Sequence, residues 1–257
     1  SFDRNKIVEL VEPGYITRNT SEYSDYYRNQ EGYPLSQFFG YIKLGLYKDE
    51  EDLATSPKSS TSQVGTIKFK DVNKDGVINV KDRTFIGDPN PDFLFGFTNN
   101  FKYSNFDLSI SMTGSYGGKV VNALKHQYLG NLDGAFNILA AAKDRWRSPE
   151  QPGSGDYPRT MTGTTAEHRK VNTSWIESNS HLAVKNITLG YTLPLPQNRY
   201  CSKLRVYASI QNVCFISKYD GANPEVSLNG LNGTGIGVDE NSYPVPRVYS
   251  LGLNVTF

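Results

Sequence analysis

From residue 93 onward, apolar and polar side chains alternate in long runs. Phe93, Phe95, Phe97, Phe101 and Tyr103 share one parity, while Leu94, Gly96, Thr98, Asn100 and Lys102 share the other. Ser104-Asn105 is a two-residue break. Phe106, Leu108, Ile110, Met112 and Tyr116 then alternate with Asp107, Ser109, Ser111, Thr113 and Ser115. A period of two is the signature of a strand with one face apolar. The second run is long for a soluble strand of about 5–6 residues and matches a tilted membrane strand of about 9–11.

Three more strands are predicted. In 182–193, Ile187, Leu189, Tyr191 and Leu193 share a parity that Leu182 and Val184 do not, so the pattern predicts a bulge near Asn186. The segment 203–219 opens with Leu204, Val206, Ala208 and Ile210 against Arg205, Tyr207, Ser209 and Gln211. The segment 247–257 sets Tyr249, Leu251, Leu253, Val255 and Phe257 against Ser250, Gly252, Asn254 and Thr256.

The connections between these five strands run 2, 63, 9 and 27 residues, short and long in alternation. Transmembrane barrels have short periplasmic turns and long outer loops, whereas a soluble sandwich has no reason to alternate this way. The expected orientation puts Ser104-Asn105 and 194–202 in the periplasm, and 1–92, 119–181 and 220–246 outside the cell. An aromatic last residue such as Phe257 on an alternating strand is what outer-membrane assembly machinery reads in barrel proteins. Five strands cannot close a barrel, whose sizes start at about eight, and an open edge cannot face lipid. The chain is therefore expected to be the C-terminal part of a larger protein, its remaining strands lying elsewhere.

The loops are polar and broken. Asn5 to Val11 and Ser36 to Tyr47 read as β-like runs, Asp49 to Ser62 as an exposed loop, and Thr66 to Lys70 as a strand. Leu132 to Trp146 has apolar residues at helical spacing and three consecutive alanines, which predicts a helix stopped by Pro149.

The sharpest local signal is Asp71-Val72-Asn73-Lys74-Asp75-Gly76-Val77-Ile78-Asn79-Val80-Lys81-Asp82. Side-chain oxygens fall at positions one, three and five, glycine at six, a carbonyl at seven (Val77), Asn79 at nine and a carboxylate at twelve. That spacing wraps oxygens round Ca2+. The metal set is Asp71, Asn73, Asp75, Val77 and Asp82, with a structural role. Position twelve is Asp rather than Glu, as in dockerin loops, and a strand rather than a helix precedes the loop. The alternative is an Asp/Asn/Gly turn that holds no metal.

Composition narrows the field. A net charge of +1 gives no basic footprint for nucleic acid. Hydrophobic content of 37% with 17 Tyr and 13 Phe suits a barrel in which half of each strand faces water. No apolar run approaches the length of a membrane helix, and Ser1 to Lys6 lacks the apolar core of a signal peptide. Cys201 and Cys214 are expected as free thiols, because one falls in a turn and the other well along a strand. His126, His168 and His181 form no cluster, and no acid/base pair or Ser-His-Asp arrangement stands out. No catalytic residue, and hence no enzyme, is expected.

An ordered set of short motifs then carries a resemblance. It includes Glu31-Gly32-Tyr33-Pro34, Phe39-Gly40-Tyr41, Gly45-Leu46-Tyr47, the 70–78 segment, Asp82-Arg83-Thr84-Phe85-Ile86-Gly87-Asp88-Pro89, and Tyr103-Ser104-Asn105-Phe106-Asp107-Leu108. It continues through Arg145-Trp146, Asp156-Tyr157-Pro158-Arg159, Lys185-Asn186-Ile187-Thr188-Leu189-Gly190-Tyr191, Arg205-Val206-Tyr207, Gln211-Asn212, Asn223-Pro224-Glu225-Val226 and Tyr243-Pro244. This succession resembles the C-terminal part of SusC/RagA-type TonB-dependent outer-membrane transporters. His181 and Ala183 depart from the family, which often has Tyr and Arg there. The resemblance implies an all-β antiparallel transmembrane β-barrel segment, about five C-terminal strands of a barrel of about 22, in the bacterial outer membrane.

The organisation expected is a 1–92 outer loop region containing the calcium-type loop, then strands across 93–257. The resemblance implies import of oligosaccharides or peptides. The implied partners are a SusD-like surface lipoprotein lid, TonB acting through the absent N-terminal part, the N-terminal portion of the same barrel, and outer-membrane lipid. Substrate-binding residues are not identified: Tyr26, Tyr27, Tyr128 and Trp175 are weighed between stacking on sugars and packing within loops. The alternative function is a calcium-stabilised β-rich cell-surface glycan-binding module.

Overall fold

The computed structural model describes residues 1–2, 4–11, 14–16, 26–129, 132, 137–161, 167–195, 202–226, 236–240 and 242–257. In chain order the elements are β1 (Tyr15–Ile16), β2 (Tyr27–Gln30), β3 (Gln37–Gly40), β4 (Lys43–Leu46), α1 (Glu50–Thr55), β5 (Ile67–Phe69) and β6 (Thr84–Gly87). There follow β7 (Pro91–Tyr103), β8 (Phe106–Gly117), β9 (Lys119–Asn122), α2 (Ala123–Leu129), β10 (Ile176–Ser178), β11 (His181–Leu193), β12 (Lys203–Ser217), β13 (Val238–Asp239) and β14 (Val248–Thr256).

The five alternating segments form one antiparallel wall in the order β7-β8-β11-β12-β14, each strand beside the next long one in sequence. The register aligns the two parities into rows. Phe101, Leu108, Leu189, Ala208 and Leu251 lie side by side, and the neighbouring row is Asn100, Ser109, Thr188, Ser209 and Ser250. One face is thus apolar and uncovered: Leu251 is 87% exposed and Phe101 55%. So large a continuous apolar face needs a covering phase or partner. The expected bulge is present, as a register shift between Val184 and Asn186 against both neighbouring strands. It returns Leu182 and Val184 to the face of Ile187. Among the described residues, β7 and β14 each have one wall neighbour, and Ser1 exchanges two backbone hydrogen bonds with Leu94 of β7, at 2.8 and 3.0 Å.

The long connections fold into a head above the wall. One core cluster draws Tyr26, Tyr27 and Phe38 from the first loop region, Val121, Ala123 and Val171 from the second, and Val238 from the third. The three-stranded sheet β10-β9-β13 joins the second and third regions as well. A second cluster packs Tyr41, Leu46, Val64, Ile67, Phe69 and Ile78 around Trp146. A third holds Leu129, Leu132, Ala142 and Trp175.

Several loop expectations are corrected. Asn5 to Val11 is not a strand: Ile7 alone exchanges backbone hydrogen bonds with Gly32 and Tyr33, and Val8 and Val11 are exposed. The 36–47 run is two strands in different sheets, β3 beside β2 and β6, and β4 beside β5, because Tyr41 turns aside to bond Val171 and Thr173. The 49–62 loop contains α1, capped by Asp49 Oδ1 accepting the Asp52 amide at 2.8 Å. The helix expected over 132–146 is not continuous. Its described part winds only a 3-10 turn at Ala140–Asp144, and residues 133–136 lie outside the described residues. Tertiary contacts win there: Ala142 and Trp146 are drawn into different clusters, and the Trp146 amide donates to Tyr157 O at 2.9 Å. The helix of this region is α2 instead. Cys214 is a free thiol on β12, whereas Cys201 lies outside the described residues.

Candidate functional site

The polar face of the wall carries a charged clamp. Arg205 on β12 donates through Nε to Asp107 Oδ1 on β8 at 2.8 Å, and its second nitrogen pairs with Oδ2. Between these strands lies β11. The guanidinium crosses it over Gly190, where any Cβ would collide with it. Tyr207 lies over Gly252 in the same way. The polar rows put Asp107, Ser109, Ser111 and Thr113 on one side of β8, and Phe106, Leu108, Ile110 and Met112 on the other, as expected from parity. The clamp itself was illegible in sequence, because its partners are 98 residues apart.

At the head end of the wall, Glu225 of the third loop is tied to β11. His181 Nε2 lies 3.5 Å from Glu225 Oε1, and Lys185, at the bulge, pairs with Oε2. The His181 contact first, and then Lys185, hold the Glu225 carboxyl below the usual range against the opposing effect of burial. Deeper in the head, Tyr219 donates to Asp239 at 2.6 Å, and burial, followed by that carboxylate, pushes the phenol pKa up.

The 71–82 loop is held by its own side chains. Asp71 accepts the Lys74 and Gly76 amides at 2.6 and 2.8 Å, and Asp75 accepts the Val77 amide at 3.0 Å. That amide, then the Asn73 side chain, keeps the Asp75 carboxyl below its usual range. Asn73 Oδ1 accepts the Asp75 amide, and the Val77 carbonyl accepts from Asn79 Nδ2. Asp82 is fully buried and accepts the Val72 amide at 2.9 Å and the Asn79 amide at 2.8 Å. Ile78, buried in the second cluster, anchors the loop, and its amide donates to Lys58 O. The all-oxygen donor set suits a hard cation. Among the described residues, however, no three His, Cys, Asp or Glu side chains gather closely enough to hold a metal ion. A cation would have to draw Asp82 toward Asp71 and Asp75.

The aromatic residues weighed for sugar stacking mostly pack inside the head. Tyr26, Tyr27 and Trp175 are buried, and only Tyr128 of the four is half-buried. Tyr26 bonds His126 Nδ1 at 2.6 Å, and Tyr27 donates to Ile236 O at 3.0 Å.

No protein-family model matches the chain. Individual relatives do. TonB-dependent receptor P26 of Formosa agariphila is 34% identical across the whole chain, and receptor P3 of the same organism 30%. TonB-dependent receptor SusC of Bacteroides thetaiotaomicron is 31% identical over 74% of the chain. The chain spans 26% of the length of the two Formosa receptors. Among solved structures, the RagAB peptide transporter superposes with a TM-score of 0.75 over the whole chain and 26% of that chain at 19% identity, which speaks to the fold. The alternating wall and the ordered motifs agree with these relatives: the chain belongs to the SusC/RagA family of TonB-dependent outer-membrane receptors, of which it is a C-terminal β-barrel segment.

Proposed function

We propose that this chain forms part of the wall and outer mouth of a transporter that imports oligosaccharides or peptides, with no catalytic step of its own. The observation that carries the reading is the wall itself, five strands whose register sets apolar rows such as Phe101, Leu108, Leu189, Ala208 and Leu251 beside polar rows such as Asn100, Ser109, Thr188, Ser209 and Ser250. In this reading the apolar face meets outer-membrane lipid and the polar face lines the lumen. The head at 1–92, 119–181 and 220–246 stands outside the cell, under a SusD-like lipoprotein lid. TonB acts through an N-terminal part, and the N-terminal strands of the same barrel pair with β7 and β14. The uncovered apolar face weighs against a soluble glycan-binding module.

The 71–82 loop is a brace in this account. It ties the first loop region to the second cluster, and Ca2+ held by Asp71, Asn73, Asp75, the Val77 carbonyl and Asp82 would tighten it. Extracellular sites function with Kd of about 10⁻⁴–10⁻³ M. The test is uptake by cells whose receptor lacks residues 93–257. Lost import, with the lipoprotein still expressed, supports the reading. Unchanged import, or a full-length receptor that is soluble without detergent, contradicts it.

A further inference from the structure

At the head end of the wall, where β8 turns into β9, a cavity of about 760 Å³ opens. Four charged side chains line it, Asp88, Asp92, Lys119 and Lys218, beside Tyr116 and Ile216 of the apolar face. We infer that this pocket binds the phosphoethanolamine headgroup of an outer-leaflet lipid. The phosphate lies between the two lysines, the ammonium turns toward the two carboxylates, and the acyl chains run down over Ile216. The inference rests on the reading that the apolar face meets lipid, and deepens it from general contact to a site for one headgroup.

The pocket's depth follows from strand geometry. Aromatic pairs mark both ends of the apolar face. Phe93 and Tyr116 stack at the head end, with centroids 5.2 Å apart, and Phe106 meets Tyr191 at the other end, 4.7 Å apart. Aromatic girdles sit at the two water boundaries of a membrane barrel. On β8, Phe106 and Tyr116 are separated by about 34 Å along the strand at about 3.4 Å per residue. A tilt of about 40° makes that about 26 Å along the membrane normal, against an apolar band about 25 Å tall. The Tyr116 ring therefore lies at one boundary, and the pocket just beyond it lies at headgroup depth. Tyr116 is 57% exposed, and Ile216, opposite Leu182 in the register, is 62% exposed. Gly117 and Gly118, with φ of 76° and 71°, turn the chain away from the wall here.

The charges in the pocket are accessible and unspent. Lys119 and Lys218 are exposed, and neither amine has a hydrogen bond or ion pair among the described residues. Asp92 is exposed and unpaired in the same sense. Asp88 uses one oxygen, Oδ1, to accept the Asn90 amide and side chain, both at 2.8 Å, which leaves Oδ2. The Lys119 amide donates to Asp88 O at 2.7 Å, so a basic and an acidic segment are pinned side by side. Two cations and two anions around one cavity complement a zwitterion. The phosphate accepts from the amines, and the ammonium donates to the carboxylates. A glycerol headgroup would bring no cation to the two carboxylates. A choline headgroup has the charges, but its methylated nitrogen has no N–H to donate. Lysine stems can lie along the apolar face while their amines reach the phosphate.

The complete receptor is placed in nanodiscs holding phosphatidylethanolamine, phosphatidylglycerol and phosphatidylcholine in equal amounts. After transfer to detergent, the lipids that stay bound are weighed by native mass spectrometry. Wild type should retain phosphatidylethanolamine above both others. Lys119→Gln/Lys218→Gln should lower that retention about fivefold per lysine. Unselective retention of the other two lipids should stay the same, which also reports an intact barrel. Asp92→Asn should narrow the preference over phosphatidylglycerol. Equal retention of the three lipids by wild type, or retention unchanged in the double lysine variant, would overturn the inference. A preference unmoved by Asp92→Asn would overturn the zwitterion assignment. O-phosphoethanolamine, which lacks acyl chains, should not displace the lipid at equal concentration. Displacement would make the pocket a site for a soluble ligand and overturn the lipid assignment. A receptor that stays soluble without detergent and takes up no lipid fails the lipid-facing reading itself. An embedded receptor with no lipid preference fails the inference alone.

Discussion

Asp82→Ala should unfasten the 71–82 loop. The carboxylate is fully buried and accepts the Val72 amide at 2.9 Å, the Asn79 amide at 2.8 Å and, more weakly, the Asn73 amide at 3.5 Å. A hydrogen bond to a charged group contributes about 1.5–3 kcal/mol, and alanine removes the acceptor of the Val72 and Asn79 amides. The local cost is therefore about 3–5 kcal/mol. Asp82→Asn keeps one acceptor oxygen but turns an NH2 toward the other amide, for about half that loss. Opening should stay local, because the wall strands share no residue with the loop. Native-state hydrogen exchange is the assay, run in chelator so that no cation contributes. The Val72 and Asn79 amides should exchange at least a hundredfold faster in Asp82→Ala, since about 1.4 kcal/mol is tenfold, while β8 and β11 amides are unchanged. Unaltered exchange at Val72 and Asn79 would refute the reasoning. So would equal acceleration in β8, which would mean that the loop and wall unfold as one.

Other outcomes follow from the same geometry. Gly190→Val should break the Arg205–Asp107 clamp by placing a branched Cβ under the guanidinium. In a double-mutant cycle, Arg205→Ala should then cost almost nothing in the Gly190→Val background, and fully additive losses in denaturant melts would show that the clamp was intact. The Glu225 tether should be sensitive to acid. Its folded pKa is depressed, so its contribution is present above the ordinary carboxylate pKa and is lost as pH falls through the lowered folded value. Exchange protection at 221–226 should hold at pH 7 and fade below about pH 4.3, and protection that instead faded on raising the pH would contradict the sign. Calorimetric titration of Ca2+ should give heat with the wild-type receptor and none with Asp75→Ala, and absence of heat in both would remove the cation from the brace.

The wall was legible residue by residue, because a strand's two faces are written directly in alternate positions. The bulge near Asn186 was legible for the same reason, as a change of parity with no turn residue to excuse it. The head was less legible. The 132–146 segment has helical spacing, yet its apolar residues serve two separate clusters, and a continuous helix would face all of them one way. α1 carried a signal that was passed over, an N-cap Asp49 followed by Glu50, Glu51 and Asp52, which suit a helix N-terminus. In the candidate site, the oxygen-bearing positions of 71–82 were named from spacing. The burial of Asp82 and its grip on Val72 and Asn79 depend on packing that spacing does not record. The Arg205–Asp107 clamp and the Glu225 tether join residues from separate loops or strands. No periodicity along the chain could have paired them.

The central claim is that the wall has one lipid face and one lumen face, with a change of phase at the β11 bulge. Spin labels placed singly along 106–113 and 182–189 of the receptor, in a Cys201→Ser/Cys214→Ser background and native-like bilayers, test it most directly. Accessibility to oxygen dissolved in lipid should peak at positions 106, 108, 110 and 112 and at 182, 184, 187 and 189. Accessibility to a water-soluble nickel chelate should peak at the positions between them. The same even-numbered period running unbroken through 184–189, or accessibility without a period of two, would contradict the account.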